Sequence, residues 1–185
     1  MVSLAQNLTL EAFLTLPETK PASEYIDGKV FQKPMPKRRH SLLQSELTTA
    51  INAVAKSEKV AYAFPELRCT FGERSLVPDI AVLDWQQIEF DEEGIPTDDV
   101  FVVPTWVIEI FSPDQSSNRV TSKIVHCLRF GSKLGWLIDP KDRSVLIFMQ
   151  DQLPELCQDD AQLVIPEHIN LSLTANEVFS WLKMM

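Results

Sequence analysis

Two carboxylates stand where carboxylates are costly. Asp79 follows Pro78 inside the run Leu76-Val77-Pro78-Asp79-Ile80-Ala81-Val82-Leu83, and Glu109 interrupts Trp106-Val107-Ile108-Glu109-Ile110-Phe111. Short apolar runs rich in β-branched and aromatic residues read as buried strands. A charge buried there needs a countercharge or a metal ion. Adjacent in one sheet, with side chains on one face, the two acids would reach a single Mg²⁺ or Mn²⁺. Such hard ions take carboxylate, carbonyl and water oxygens. Bound there, the ion would lower the pKa of water and stabilise charge on a phosphate in transfer. Lys123 lies on the helical run after Glu109 and could swing back to the same place. Its ammonium would orient the attacking water and stabilise the pentavalent transition state. The alternative is that Asp79 and Glu109 cap loops or pair with arginine and lysine.

These groups need strands and a helix to hold them. The strand carrying Glu109 is stopped by Ser112-Pro113-Asp114. Val120 to Phe130 follows at helical spacing, Gly131 ends it, and Trp136-Leu137-Ile138 forms the next strand, leading to the turn Asp139-Pro140-Lys141-Asp142. Strand, helix and strand thus deliver the second acid and the lysine together. Upstream, Asp27-Gly28 between Ser23–Ile26 and Lys29–Phe31 marks a hairpin. Lys33 to His40 is proline-broken and is the most basic stretch. It reads either as a phosphate-facing loop or as a solvated lead into a helix. Ser41 to Lys56 is a helix, with Leu42, Leu43, Leu47, Ala50, Ile51 and Val54 recurring at a period near 3.6. Leu8 to Leu14 is a short helix with Thr9 as N-cap.

Val60–Phe64 and Leu67–Phe71 read as strands around Pro65-Glu66, Leu76–Leu83 as one buried strand, and Ser144–Met149 as another. Asp84–Asp99 reads as an exposed acidic excursion and Gln150–Asp160 as an acidic loop. Leu163–Leu171 holds a short strand or two. Thr174 and Glu177 form a capping box for a last helix, Ala175–Lys183. This alternation predicts an α/β domain over residues 1–185, built on a central mixed β-sheet flanked by helices.

Composition narrows the class. The 185 residues are 45% hydrophobic and 23% charged, ordinary values for a globular chain. No apolar run approaches the roughly 20 residues of a membrane span, and Met1 to Phe13 lacks the basic-then-apolar order of a secretory signal. Cys69, Cys127 and Cys157 are scattered, which argues for reduced thiols and a cytoplasmic setting over a disulfide frame or zinc site. The net charge of −9 speaks against a simple nucleic-acid-binding module. It leaves room for an enzyme that meets phosphate through metal ions and a local basic patch.

Taken in order, Glu24-Tyr25-Ile26-Asp27-Gly28, His40, Pro78-Asp79, Glu109-Ile110-Phe111-Ser112-Pro113, Lys123, Gly131 and Trp136-Leu137-Ile138-Asp139-Pro140 resemble the family termed putative restriction endonucleases, abundant in cyanobacteria, within the PD-(D/E)xK nuclease superfamily. The resemblance spans nearly the whole chain and rests on order and spacing together. It implies a restriction endonuclease-like fold and Mg²⁺-dependent (or Mn²⁺-dependent) cleavage of DNA phosphodiesters, giving a 5′-phosphate and a 3′-hydroxyl. It implies Asp79 and Glu109 as metal ligands and catalytic acids, Lys123 as the catalytic lysine, and Glu24 as a third, outer metal ligand or a support for the hairpin. Where the superfamily pattern places a lysine two residues after the second acid, this chain has Phe111, so Lys123 must serve from the helix. Four residues after that lysine, where the family often has tyrosine, stands Cys127. A homodimer is expected, since cutting both strands commonly takes two sites. The acidic loops Asp91–Asp99 and Asp151–Asp160 are expected away from the DNA. A catalytically degenerate binding or assembly module, and a hydrolase of another phosphoester, are the competing classes.

Overall fold

The computed structural model describes residues 8–113 and 115–184. In chain order these form α1 (Leu10–Leu14), β1 (Ser23–Ile26), β2 (Lys29–Gln32), α2 (Arg38–Ala55), β3 (Ala61–Pro65), β4 (Cys69–Phe71), β5 (Arg74–Leu76) and β6 (Ile80–Asp84). Then come β7 (Trp106–Ile110), α3 (Ser117–Arg129), β8 (Leu134–Asp139), β9 (Ser144–Met149), β10 (Glu155–Gln158) and α4 (Ala175–Ser180). Six strands make a central mixed sheet in the order β10-β9-β8-β7-β6-β3. Among the described residues only β7 and β8 pair in parallel there, as the crossing helix α3 requires. A second, antiparallel sheet has the order β2-β1-β5-β4. The expectation of one central sheet is thus met by the larger one, and the hairpin at Asp27-Gly28 founds the smaller.

Side-chain alternation along β7 sorts the core into two. Trp106, Ile108 and Ile110 pack with α2 and α4 residues such as Leu47, Ile51 and Phe179. Val107 turns to the other face, against Ile124, Cys127 and Leu128 of α3. Glu109 shares that second face by the period of two. Helix α3 lies close on the sheet because β8 has glycine beneath it: a Cβ at Gly135 would collide with Ile124. Gly131, at φ +119, ends α3; Ser132 N–H donates to Cys127 C=O at 3.0 Å and Gly131 N–H to Leu128 C=O at 3.2 Å, the bond pattern of a Schellman motif.

Several expected elements change. The Leu76–Leu83 strand is two strands in different sheets, broken at Val77-Pro78-Asp79. Pro78 has no N–H to give a ladder. The neighbouring backbone groups go to side chains: Val77 N–H to Glu24, Val77 C=O to Lys33, and Asp79 C=O to Gln44. Helix α2 starts at Arg38, three residues before the expected Ser41, and α4 ends at Ser180 rather than Lys183. The expected loop Gln150–Asp160 contains edge strand β10, whose only buried residue is Cys157, so its sequence shows little apolar alternation. Leu163–Leu171 forms no strand among the described residues; Leu163 and Ile169 anchor it in the core as irregular chain. Thr9 does cap α1, and the Thr174–Glu177 capping box is present. Asp114, the last residue of the expected strand stop, lies outside the described residues, as do residues 1–7.

Candidate active site between the two sheets

Asp79 and Glu109 meet because their strands are neighbours. β6 pairs antiparallel with β7, with Ile80 opposite Ile108. One step further along that register puts Asp79 opposite Glu109, and opposed residues of an antiparallel pair share a face. Asp79 sits just ahead of β6 rather than within it. Its carboxylate nevertheless grips β7: Oδ2 accepts the Ile110 N–H at 2.7 Å. Asp79 is fully buried and Glu109 is 1% exposed.

Lys123 reaches them from α3. It lies one residue before Ile124, on the buried stripe of that helix, so its stem runs down onto the sheet. Its ammonium stands 2.7 Å from Glu109 Oε1 and 2.7 Å from Glu24 Oε1. Glu24 comes from β1, so Lys123 ties the two sheets together. Glu24 Oε1 also accepts the Val77 N–H at 2.9 Å. The Lys123–Glu109 approach has ion-pair distance without hydrogen-bond angles, and both Glu109 oxygens are buried without a hydrogen-bond partner. A buried carboxylate with an ion pair but no hydrogen bond is uncommon enough to require a reason.

A second lysine was not foreseen in this role. Lys33, in the stretch read as phosphate-facing or solvated, turns inward and is buried. Its ammonium lies 2.7 Å from Asp79 Oδ1, 2.9 Å from Val77 C=O and 3.4 Å from Glu66 Oε1. His40 turns in as well, from the first turn of α2, with Nε2 3.0 Å from Asp79 Oδ2. The signal available in sequence was the surplus of buried acid itself, since each such carboxylate needs cations of its own. The ion-pairing alternative for Asp79 and Glu109 is therefore realised in this structure, beside the grouping of acids and lysine. Of the basic stretch, Lys37, Arg38 and Arg39 remain exposed.

These neighbours set the protonation. Burial pushes the Asp79 carboxyl up, but the Lys33 ammonium and His40 outweigh it and hold it well below the usual carboxylate range. Burial pushes Glu109 up to about 7, with Lys123 opposing and Asp79 adding to the rise. Burial alone would lower Lys123, yet Glu109, Glu24 and Asp79 hold it above its ordinary value. The Lys123–Glu109 pair is thus drawn two ways, the lysine towards its charge and the glutamate towards its proton. Three carboxylates face the one ammonium of Lys123 and keep it charged.

Further aromatic and sulfur-bearing side chains serve packing. His126 stacks on Phe71 at 5.3 Å between ring centroids and contacts its backbone oxygen at 3.4 Å. Trp106 and Trp136 meet edge-on at 4.7 Å in the core, and Trp181 packs against it. Cys69, Cys127 and Cys157 are all buried free thiols.

Residues 10–176 match the Uma2 family, described as "Putative restriction endonuclease". The chain belongs to this family. A crystal structure described as a "putative nuclease belonging to DUF820" from Anabaena variabilis is similar at 48% identity and a TM-score of 0.92, covering 95% of this chain and 99% of that one. No curated protein matches. The fold of this Uma2 chain is α/β and restriction endonuclease-like. No helix among the described residues is long and apolar enough to cross a membrane.

The Mg²⁺ or Mn²⁺ that the family resemblance implies can be tested against the donors present. Asp79 and Glu109 offer the hard oxygens such ions prefer. Glu109 holds two without hydrogen-bond partners. The two strand-borne acids therefore fit. Glu24 is engaged by Lys123 and Val77 N–H, and among the described residues no three His, Cys, Asp or Glu side chains are grouped to hold one ion.

Proposed function

We propose that this chain is a metal-dependent endonuclease that hydrolyses DNA phosphodiester bonds. One observation carries the reading. Lys123, from a helix, brings its ammonium to 2.7 Å from Glu109, on the strand that runs beside Asp79. Two acids and a lysine from separate elements so converge, and the helix supplies the cation that Phe111 cannot. Asp79 and Glu109 would hold Mg²⁺ or Mn²⁺, which when bound lowers the pKa of water and offsets phosphate charge.

The chain's own groups have distinct parts. Lys123, held protonated, acts through charge: it orients a water and stabilises the negative charge that grows on the phosphate. It is no base. Ile110 N–H and His40 fix the Asp79 carboxylate in one orientation. Glu24 keeps Lys123 between the sheets. Next to His40 opens a cleft of about 540 Å³, lined by Lys37, Arg38, Arg39 and Lys141 against the acids Asp139 and Asp142, with Phe111 and Pro140. Its excess of basic over acidic groups and its apolar floor suit a nucleic-acid strand, with cations for phosphates and flat surfaces for sugars and bases. A homodimer would set two such sites on one duplex.

A second reading has its own observation: every charged group of the site is buried and already partnered by charge. That favours a binding or assembly module that kept the fold without catalysis. Supercoiled plasmid incubated with Mg²⁺, Mn²⁺ or EDTA separates the two. Metal-dependent nicking, lost in Asp79→Ala and Lys123→Ala, is the expected result. Wild-type protein that binds DNA but never nicks it, at any salt concentration, would leave the module.

A further inference from the structure

We propose that the Lys33 ammonium occupies the place of a cation at Asp79, and that a divalent ion enters by displacing it towards Glu66. The inference rests on the metal-dependent reading above and concerns how the ion gets in.

Lys33 has the surroundings of a bound metal. Its ammonium faces one carboxylate oxygen, Asp79 Oδ1, at 2.7 Å, and one backbone carbonyl, Val77, at 2.9 Å. A second carboxylate, Glu66, stands at 3.4 Å. Carboxylate and carbonyl oxygens from separate stretches of chain are what Mg²⁺ and Mn²⁺ select. An ammonium among them satisfies the same charge with hydrogen bonds.

Repulsion between cations argues for the exchange. A divalent ion at Asp79 would stand against the Lys33 ammonium, which faces the same carboxylate at 2.7 Å, and two cations crowded on one buried carboxylate are unfavourable.

Lys33 is the lysine placed to go. Lys123 is clamped between two buried carboxylates on a helix packed into the core. Lys33 stands at the end of β2, ahead of Pro34-Met35-Pro36, where Met35 is exposed. Its outermost partner, Glu66, has a side chain 43% exposed. A rotation of the Lys33 side chain away from Asp79 keeps its charge paired at Glu66 while freeing Asp79 Oδ1 and the Val77 carbonyl.

Mn²⁺ binding measured by electron paramagnetic resonance of the free ion tests this without any turnover. Lys33→Met should bind Mn²⁺ at least tenfold more tightly than wild type, and Glu109→Gln should bind it far more weakly. Glu66→Gln, a change at a half-exposed site, should weaken Mn²⁺ binding severalfold by removing the place where Lys33 goes. Melting in EDTA reports whether each variant folds. Should Lys33→Met fail to fold, Glu66→Gln decides, together with the lysine Nζ resonance of wild-type Lys33, expected to shift on adding Mg²⁺. Wild type that binds Mn²⁺ while folded Lys33→Met binds it no better, or Glu66→Gln binds it equally well, overturns the displacement and leaves the metal site standing. No Mn²⁺ binding by wild type or by Lys33→Met overturns both.

Discussion

Replacing Glu109 by glutamine should remove a loss of stability that the metal-free protein suffers as pH rises. The folded protein holds the Glu109 carboxyl up to about 7, against an ordinary value of 4.5, chiefly through burial. Between those two values the folded state keeps a proton that the unfolded state has released. Stability from this group therefore falls as pH rises from about 4.5 to about 7, opposite to the usual carboxylate. Two and a half units correspond to about 3 kcal/mol at most. For a chain of this size that is roughly 6–12 °C in Tm. The depressed His126 acts in the other direction over part of this range, but it is common to both proteins, so their difference isolates Glu109. The low Asp79 value places its own transition below the window. Calorimetry in EDTA at half-unit steps from pH 4.5 to 7.5 gives both curves. Wild type should lose ground relative to Glu109→Gln across the window, and saturating Mg²⁺ should abolish the loss. Two parallel curves would refute the reasoning, because they would mean that Lys123 already holds Glu109 ionised at pH 5.

The remaining predictions concern packing and binding. Lys123→Met should destabilise the protein by about 3–5 kcal/mol in urea melts, since it strands two buried carboxylates; adding Glu24→Gln should recover part of that. Gly135→Ala should cost about 1–3 kcal/mol through overpacking against Ile124, and Ile124→Ala in the same chain should relieve the collision, seen as a sub-additive double-mutant cycle. Arg39→Ala should weaken binding to duplexes of unrelated sequence alike and reduce the slope of log K on log salt by about 1, if Arg39 meets one phosphate; fluorescence anisotropy at several salt concentrations reads it.

The sequence made the centre of this site legible because chemistry and pattern conflicted there. Glu109 is a charge within an all-buried strand, and the β7-α3-β8 unit around it follows from Pro113, Gly131 and the apolar spacing. Lys123 could be paired with Glu109 because strand and helix are adjacent in the chain. The contacts that Lys33 and His40 make with Asp79 escaped for the converse reason. They reach Asp79 across more than forty and nearly forty residues, and nothing in a proline-broken basic stretch says which cations turn inward. The break at Val77-Pro78-Asp79 was hidden by its apolar neighbours. Its backbone is satisfied by Glu24, Lys33 and Gln44, partners that only the folded arrangement supplies. Strand β10 was lost because a single inward residue, Cys157, leaves no period to read.

That all three cysteines are buried makes the native protein silent to thiol reagents. Cys127 stands one helical turn after Lys123 and packs against Val107, two residues before Glu109. A reagent can reach it only when α3 lifts from the sheet and the two acids are uncovered. The labelling rate of Cys127, followed by mass spectrometry, is thus a built-in clock for opening of the site. Cys157, under the far edge of the sheet, supplies a second clock for a different part of the same molecule. Running both at once, with and without DNA or metal, would distinguish local opening of the site from unfolding of the whole chain, with no probe added.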